Sequence, residues 1–114
     1  MASRNRVLET ALVQWAAADT SKTLITAPSG GVDLRDTAKL RIHRITYLSE
    51  TAHTNEVTVA CGATEFCIID NLAANGVYDT GHQEAGVLCP DETALIASAT
   101  AGAKGKFIIT YSVD

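Results

Sequence analysis

Three histidines, His43, His53 and His82, and three cysteines, Cys61, Cys67 and Cys89, carry the widest chemical range in this chain. Nucleophilic catalysis needs a Ser or Cys whose proton passes to a His that a third group orients. No serine sits in a Gly-x-Ser-x-Gly elbow, so any such set would have to be gathered by the fold. A zinc site would be seeded by closely spaced ligands such as C-x-x-C, and none is present. An odd number of cysteines without a paired spacing reads as three buried, small, inert hydrophobes. A Cys61–Cys67 cross-link across a hairpin is geometrically conceivable, but synthesis in a reducing cytoplasm argues against it.

The sharpest catalytic spacing is Val77-Tyr78-Asp79-Thr80-Gly81. Two apolar residues before Asp-Thr-Gly are how a retroviral-type aspartic protease presents one of two carboxylates that share a proton. In such enzymes the motif lies near the chain start, Ala follows the Gly, and a later apolar-apolar-Gly-Arg segment supports it. Here His82 and Gln83 follow and no such segment appears, so Asp79-Thr80-Gly81 reads as a turn. The Gly102 to Lys106 stretch glances at a phosphate-cradling loop but has two residues between its glycines instead of four, and Phe107 where Ser or Thr should hold magnesium. It reads as a loop with cationic tips. Asp70-Asn71 and Asp91-Glu92 are pairs only, short of a calcium site, and read as strand ends. These residues therefore imply no catalytic set, no metal and no cofactor.

The elements around these residues are short and β-rich. Lys39 to Cys61 organises the chain as a long strand, a polar loop and a second strand. Leu40 and Ile42 share one face and Ile45 and Tyr47 the other, so the apolar phase slips by one residue at His43-Arg44. Side chains alternate along a strand, and a slip of one residue demands a β-bulge or a change of partners between two sheets.

Before this stretch, Ala11, Val13 and Trp15 alternate in a strand whose expected hairpin mate is Thr23 to Ala27, although Val7, Leu8, Ala11, Leu12 and Trp15 also fit a short helix. Ser29-Gly30-Gly31 makes a corner, and Val32 to Asp36 is a charged connection or edge strand. Val57 and Val59 place one side of the next strand on the core. Gly62-Ala63-Thr64 is a tight connection into a run in which Phe66, Ile68 and Ile69 carry the apolar weight. Asn75-Gly76 is the strongest turn signal, since both residues tolerate positive φ. Val77 to Glu84 is expected to cross the end of a sandwich, and Val87 to Cys89 is a short strand stopped by Pro90. Thr93 to Ala99 and Lys106 to Val113 form the expected last strand pair, with Phe107, Ile109 and Tyr111 on one face. Eight or nine short strands with frequent turns specify a single-domain, all-β antiparallel sandwich of jelly-roll kind.

The chain has 114 residues, a size for one domain, with a formal charge of −4 and a pI near 5.2. That balance offers no basic stripe for a phosphate backbone and so argues against nucleic acid; Lys39, Arg41 and Arg44 read as a solvated sheet face. No apolar run reaches membrane-span length, and no secretory segment follows Met1. Residues 1–10 are expected to be an arm, flexible or ordered at an interface, with the sandwich spanning 11–114.

From about Ala11 to Val113 the chain resembles the small β-sandwich structural proteins of tailed bacteriophages. The resemblance runs through Thr23-Leu-Ile-Thr-Ala27, Leu40-Arg-Ile-His-Arg-Ile45 leading to Ser49, Val57-Thr-Val59 before Gly62, Leu72-Ala-Ala-Asn-Gly76, Glu92-Thr-Ala-Leu95 and Gly105-Lys-Phe-Ile-Ile-Thr-Tyr-Ser-Val113. The three cysteines and the Arg-containing N-terminus depart from it. It implies a non-enzymatic virion protein made in the host cytoplasm: a decoration or cement protein on the outer face of the major capsid shell. A homotrimer is the favoured assembly and a dimer the next. Arg4, Arg6, Val7, Leu8 and Leu12 would form the contact arm. The rival is a carbohydrate-binding sandwich module on a virion surface or a fibre, for which Tyr78 and Trp15 are the available stacking rings.

Overall fold

The computed structural model describes residues 7–16, 19–28, 38–51, 56–69, 73–90, 92–99 and 103–113. Arg4, Arg6, the Gly30-Gly31 corner, the 32–36 run, His53, Asp70, Asn71, Asp91 and Gly102 lie outside these residues. The described residues form nine strands: β1 (Glu9–Trp15), β2 (Ser21–Ile25), β3 (Leu40–Ser49), β4 (Val57–Cys61), β5 (Thr64–Ile69), β6 (Val77–Asp79), β7 (Val87–Leu88), β8 (Leu95–Ala99) and β9 (Gly105–Val113).

They divide into two antiparallel sheets. The first has the order β1-β9-β3-β6, with β7 also on β3, and the second runs β2-β8-β4-β5. The expected all-β sandwich is the observed architecture. Two expected pairings are not. β1 pairs β9, not β2, and β8 pairs β2 and β4, not β9. In both cases the two consecutive strands lie in different sheets instead of pairing within one. Alternation tells which face of a strand is buried but says nothing about which strand lies beside it. The helical reading of the start also gives way: the chain is extended from Glu9, because the Ala11, Val13 and Trp15 side lies against the core.

β3 is the central strand of the first sheet, and its phase slip is a bulge. Ile42 faces Tyr111 and Arg44 faces Thr110 on β9, so His43 is the extra residue. With His43 inserted, Leu40 and Ile42 before it and Ile45 and Tyr47 after it are all buried. The strand thus serves one core along its whole length.

The opposite side of β3 is lined by 77–89, and here too the structure corrects the sequence. The segment does not cross the sandwich end but runs antiparallel along β3. Its ladder continues through the gap between β6 and β7 by way of Thr80 N–H to Ile45 C=O (3.0 Å), Gln83 N–H to His43 C=O (2.9 Å) and Cys89 N–H to Leu40 C=O (2.8 Å). Polar residues hid this strand because only alternate ladder positions are needed to hold it.

The core lies between the sheets. Phe107 is its hub: the Trp15 ring meets it edge-on at 6.1 Å between centroids, and Tyr47 lies tilted at 4.8 Å. Such pairs add about 1 kcal/mol each beyond the area they bury. Val57, Val59, Ile69 and Leu95 complete the opposing side. The turns follow the sequence: Gly62 and Asn75 both have positive φ, at 59° and 63°.

Gly105, at the start of β9, admits no side chain. A Cβ there would lie 2.6 Å from Tyr47 Cζ and still closer to the Leu48 carbonyl oxygen. Gly81, by contrast, has a φ of +76° and nothing within 4 Å of the position a Cβ would take. Gly105→Ala is expected to cost about 3 kcal/mol or more through overpacking, and Gly81→Ala about 1–2 kcal/mol of backbone strain alone. Denaturant titration of the two variants beside the parent checks the order; equal losses would show that Tyr47 yields.

Candidate assembly surface

Among the described residues, the reactive side chains singled out in the sequence fall into three places, and in each the fold uses them structurally. His43, carried by the bulge, is 3% exposed. Its Nδ1 lies 2.9 Å from the Gln83 carbonyl oxygen and so donates to it, while Nε2 lies 3.0 Å from Ser112 Oγ. With the proton on Nδ1, Nε2 accepts from the serine hydroxyl. Serine, imidazole and an orienting acceptor are thus brought together, a conjunction invisible in the sequence because 69 positions separate His43 from Ser112. Ser112 is fully buried, however, and the exposed His82 ring stacks over His43 at 5.9 Å. No electrophile reaches the hydroxyl, and the set works as a lock between β3, β9 and the 80–86 segment.

Asp79-Thr80-Gly81 is a clamp on β3. Asp79 accepts from the Gly81 N–H (2.9 Å), Thr46 Oγ1 (3.3 Å) and Arg44 Nε (2.9 Å), and its other oxygen pairs with Arg44 Nη2. Thr80 Oγ1 accepts from Ile45 N–H at 3.0 Å. The Arg44 hydrogen bond, with the Gly81 amide behind it, holds the Asp79 carboxyl down at about 2. A carboxylate so held stays charged and does not share a proton with a second one.

The cysteines are buried and free. Burial pushes the Cys67 thiol up to about 11 and raises those of Cys61 and Cys89 as well. Thiols of this kind are poor nucleophiles and poor metal ligands. Among the described residues no three His, Cys, Asp or Glu side chains gather as a metal site.

What remains is surface. Of the six aromatic residues, Trp15, Tyr47 and Phe107 are buried and Phe66, Tyr78 and Tyr111 half-buried. Apolar exposure is concentrated instead on the first sheet. Leu12 is 68% exposed and Val7 and Leu8, just before β1, are 73% and 50% exposed. Leu12 lies across from Ile108, and the exposed Leu48 lies across from the exposed Val77. Cross-strand neighbours share a face, so the outer side of this sheet carries two apolar pairs, Leu12 with Ile108 and Leu48 with Val77, set among polar positions such as Lys106 and Thr46.

β1 is also the sheet's least guarded edge. Free edges invite a further strand unless bulges, charges, proline or brevity prevent it. β2 has a register shift and carries Lys22; β5 pairs across a shift and carries Glu65; β6 and β7 are three and two residues long with positive-φ Gly81 and Gly86 between them. β1 has seven residues in unbroken register, no proline or glycine, and one charge, Glu9. Lys22 Nζ caps the Gln14 carbonyl at 2.7 Å, which covers the Trp15 end. On the side away from β9, the part from Glu9 to Val13 has no strand paired with it among the described residues.

No protein-family model and no curated protein matches the chain. Among solved structures, a chain titled as the cyanophage Pam1 capsid asymmetric unit is similar, with a TM-score of 0.49 and 15% identity over 95% of this chain and 84% of that one.

The Asp79 clamp sets an acid limb of stability. Its folded value of about 2 lies below the ordinary 3.8, so the folded state binds the proton less readily. The contribution is present above about pH 4 and is lost as pH falls towards 2. Melting curves from pH 6 to 2 are expected to fall more steeply for the parent than for Asp79→Asn; parallel curves would mean that the pair leaves stability untouched.

Proposed function

We propose that this protein is a non-enzymatic structural component of a phage virion, a decoration or cement protein that binds the outer face of the major capsid shell. Its assembly contact is the β1 edge with the residues leading into it. The observation that carries the reading is the coincidence of an unguarded, regular edge strand with exposed Val7, Leu8 and Leu12, in a fold where His43, Ser112 and Asp79 are engaged internally. The segment-by-segment resemblance to phage β-sandwich proteins supports it. Arg4 and Arg6, which precede this edge in sequence, extend the contact with positive charge.

A shell protein gains by repetition. Each copy contributes a small contact, and closed symmetry multiplies it. An added strand supplies backbone hydrogen bonds without demanding a deep pocket. A trimer about a local threefold axis is the arrangement favoured here, with a dimer next. The carbohydrate-binding alternative calls for an exposed ring, and none of the six aromatics is fully exposed.

Light scattering on the full chain tests the subunit contact. The expected mass is a multiple of 12.0 kDa. Burying Leu12 contributes about 2 kcal/mol per copy, so Leu12→Lys is expected to raise the dissociation constant at least about 30-fold. A monomer at high concentration, or an oligomer indifferent to Leu12→Lys, overturns the β1 contact between copies. A sugar-dependent rise in melting temperature that Tyr78→Ala abolishes would move the protein to the carbohydrate-binding class.

A further inference from the structure

We infer that Cys61 and Cys89 form a latent cross-link site, two thiols held in contact across the sandwich that close to a disulfide when the protein meets an oxidising thiol–disulfide pool. Cys61 ends β4 in the second sheet. Cys89 follows β7 and is held to β3 of the first sheet by its N–H bond to the Leu40 carbonyl. Their side chains share a hydrogen bond, and Cys61 Sγ also lies 3.4 Å from the Thr93 carbonyl oxygen. Both residues belong to the buried core, at 0% and 2% exposure. The local backbone keeps them together: a Cβ at Gly62, next to Cys61, would stand 3.4 Å from Thr93 Cγ2 and 3.9 Å from Pro90 Cγ, so the β4–β5 turn rests on the segment that carries Cys89. Cys67 is on the neighbouring strand opposite Val59 and hydrogen bonds to Tyr78 instead.

The chemistry is thiol–disulfide exchange with a small disulfide such as oxidised glutathione. One protein thiol, as thiolate, attacks a sulfur of the small disulfide, forms a mixed disulfide and expels a small thiolate. The second protein thiolate attacks the protein sulfur of that bond and expels the other. Two protein thiols are oxidised, one small disulfide is reduced to two thiols, and both protons leave with them. Burial makes the first attack slow, and it proceeds through local opening of the segment that carries Cys89. That segment is tied to the first sheet by the two-residue β7 and by the Cys89 and Glu92 N–H bonds to the Leu40 and Ala38 carbonyls. The closed bond would join the two sheets and enclose β5, β6 and β7 in one covalent loop.

The test incubates the full chain in glutathione buffers from fully reduced to fully oxidised, a few degrees below the melting temperature, and then alkylates the remaining thiols. No Lys or Arg lies between Arg44 and Lys104, but cleavage after Glu65, Glu84 and Glu92 puts the three cysteines on separate peptides. The expected product joins the Cys61 and Cys89 peptides, leaves Cys67 alkylated, and melts about 5–15 °C above the reduced protein. Cys67→Ala should oxidise in the same way, and Cys61→Ser should give no intramolecular link while keeping the reduced parent's fold by circular dichroism. Three alkylated cysteines at every potential, or a link through Cys67, overturns the inference. So does a Cys61–Cys89 bond that lowers the melting temperature, since contact geometry would then not be disulfide geometry.

Discussion

The inserted residue in β3 is the constraint on which the first sheet depends. Were His43 paired in a regular ladder instead of bulged, the strand would bury Leu40 and Ile42 and then turn Ile45 and Tyr47 to solvent, or the reverse. With the bulge, one strand feeds the core at both ends and meets β9 from Leu40 to Ser49. The extra residue is itself polar, and a buried imidazole must find partners for both nitrogens. Ser112 supplies one and the Gln83 carbonyl the other. That second partner fixes where the 80–86 segment lies, so the bulge also shapes the edge beyond β3. Gly86 is part of the same arrangement: a Cβ there would stand 2.8 Å from Arg41 Cγ and 3.1 Å from the His43 ring.

Much of this was legible in the sequence where the cause is local. The phase slip at His43-Arg44, the positive-φ turn residues and the inward row of Phe107, Ile109 and Tyr111 each follow from a side chain's own neighbours along the chain. Strand partners were not legible, because β1 and β2, or β8 and β9, are compatible with a hairpin as far as local pattern goes, and only the packing of two sheets decides against it. The 77–89 edge escaped notice for a related reason. Its strands are two and three residues long, and its remaining ladder is held by backbone groups whose side chains are polar or absent.

The candidate surface divides the same way. Leu12 belongs to the expected contact arm, and alternation with Ala11, Val13 and Trp15 sets it on the opposite side of the strand; that this side is exposed appears only once register places it beside Ile108. The His43–Ser112 and Cys61–Cys89 contacts are likewise products of topology. Asp79 shows the converse. Its motif was conspicuous in the sequence, and the fold spends it on anchoring a turn to Arg44.

The pairing of β1 with β9 has a consequence for how the molecule comes into being. The first described strand finds its partner only in the last, and the centre of the first sheet, β3 against β9, waits for the same strand. A ribosome releasing the chain from its N-terminus exposes the β1 edge, with Leu12 and the Trp15 ring, long before β9 emerges. The second sheet can close earlier, once β8 has joined β4 and β2. Sheets assembled from such distant segments fold slowly, and the interval is one in which unpaired apolar strands of many nascent copies can meet. The yield of correct molecules then depends on how quickly the nine residues of β9 zip between strands that have been waiting for them.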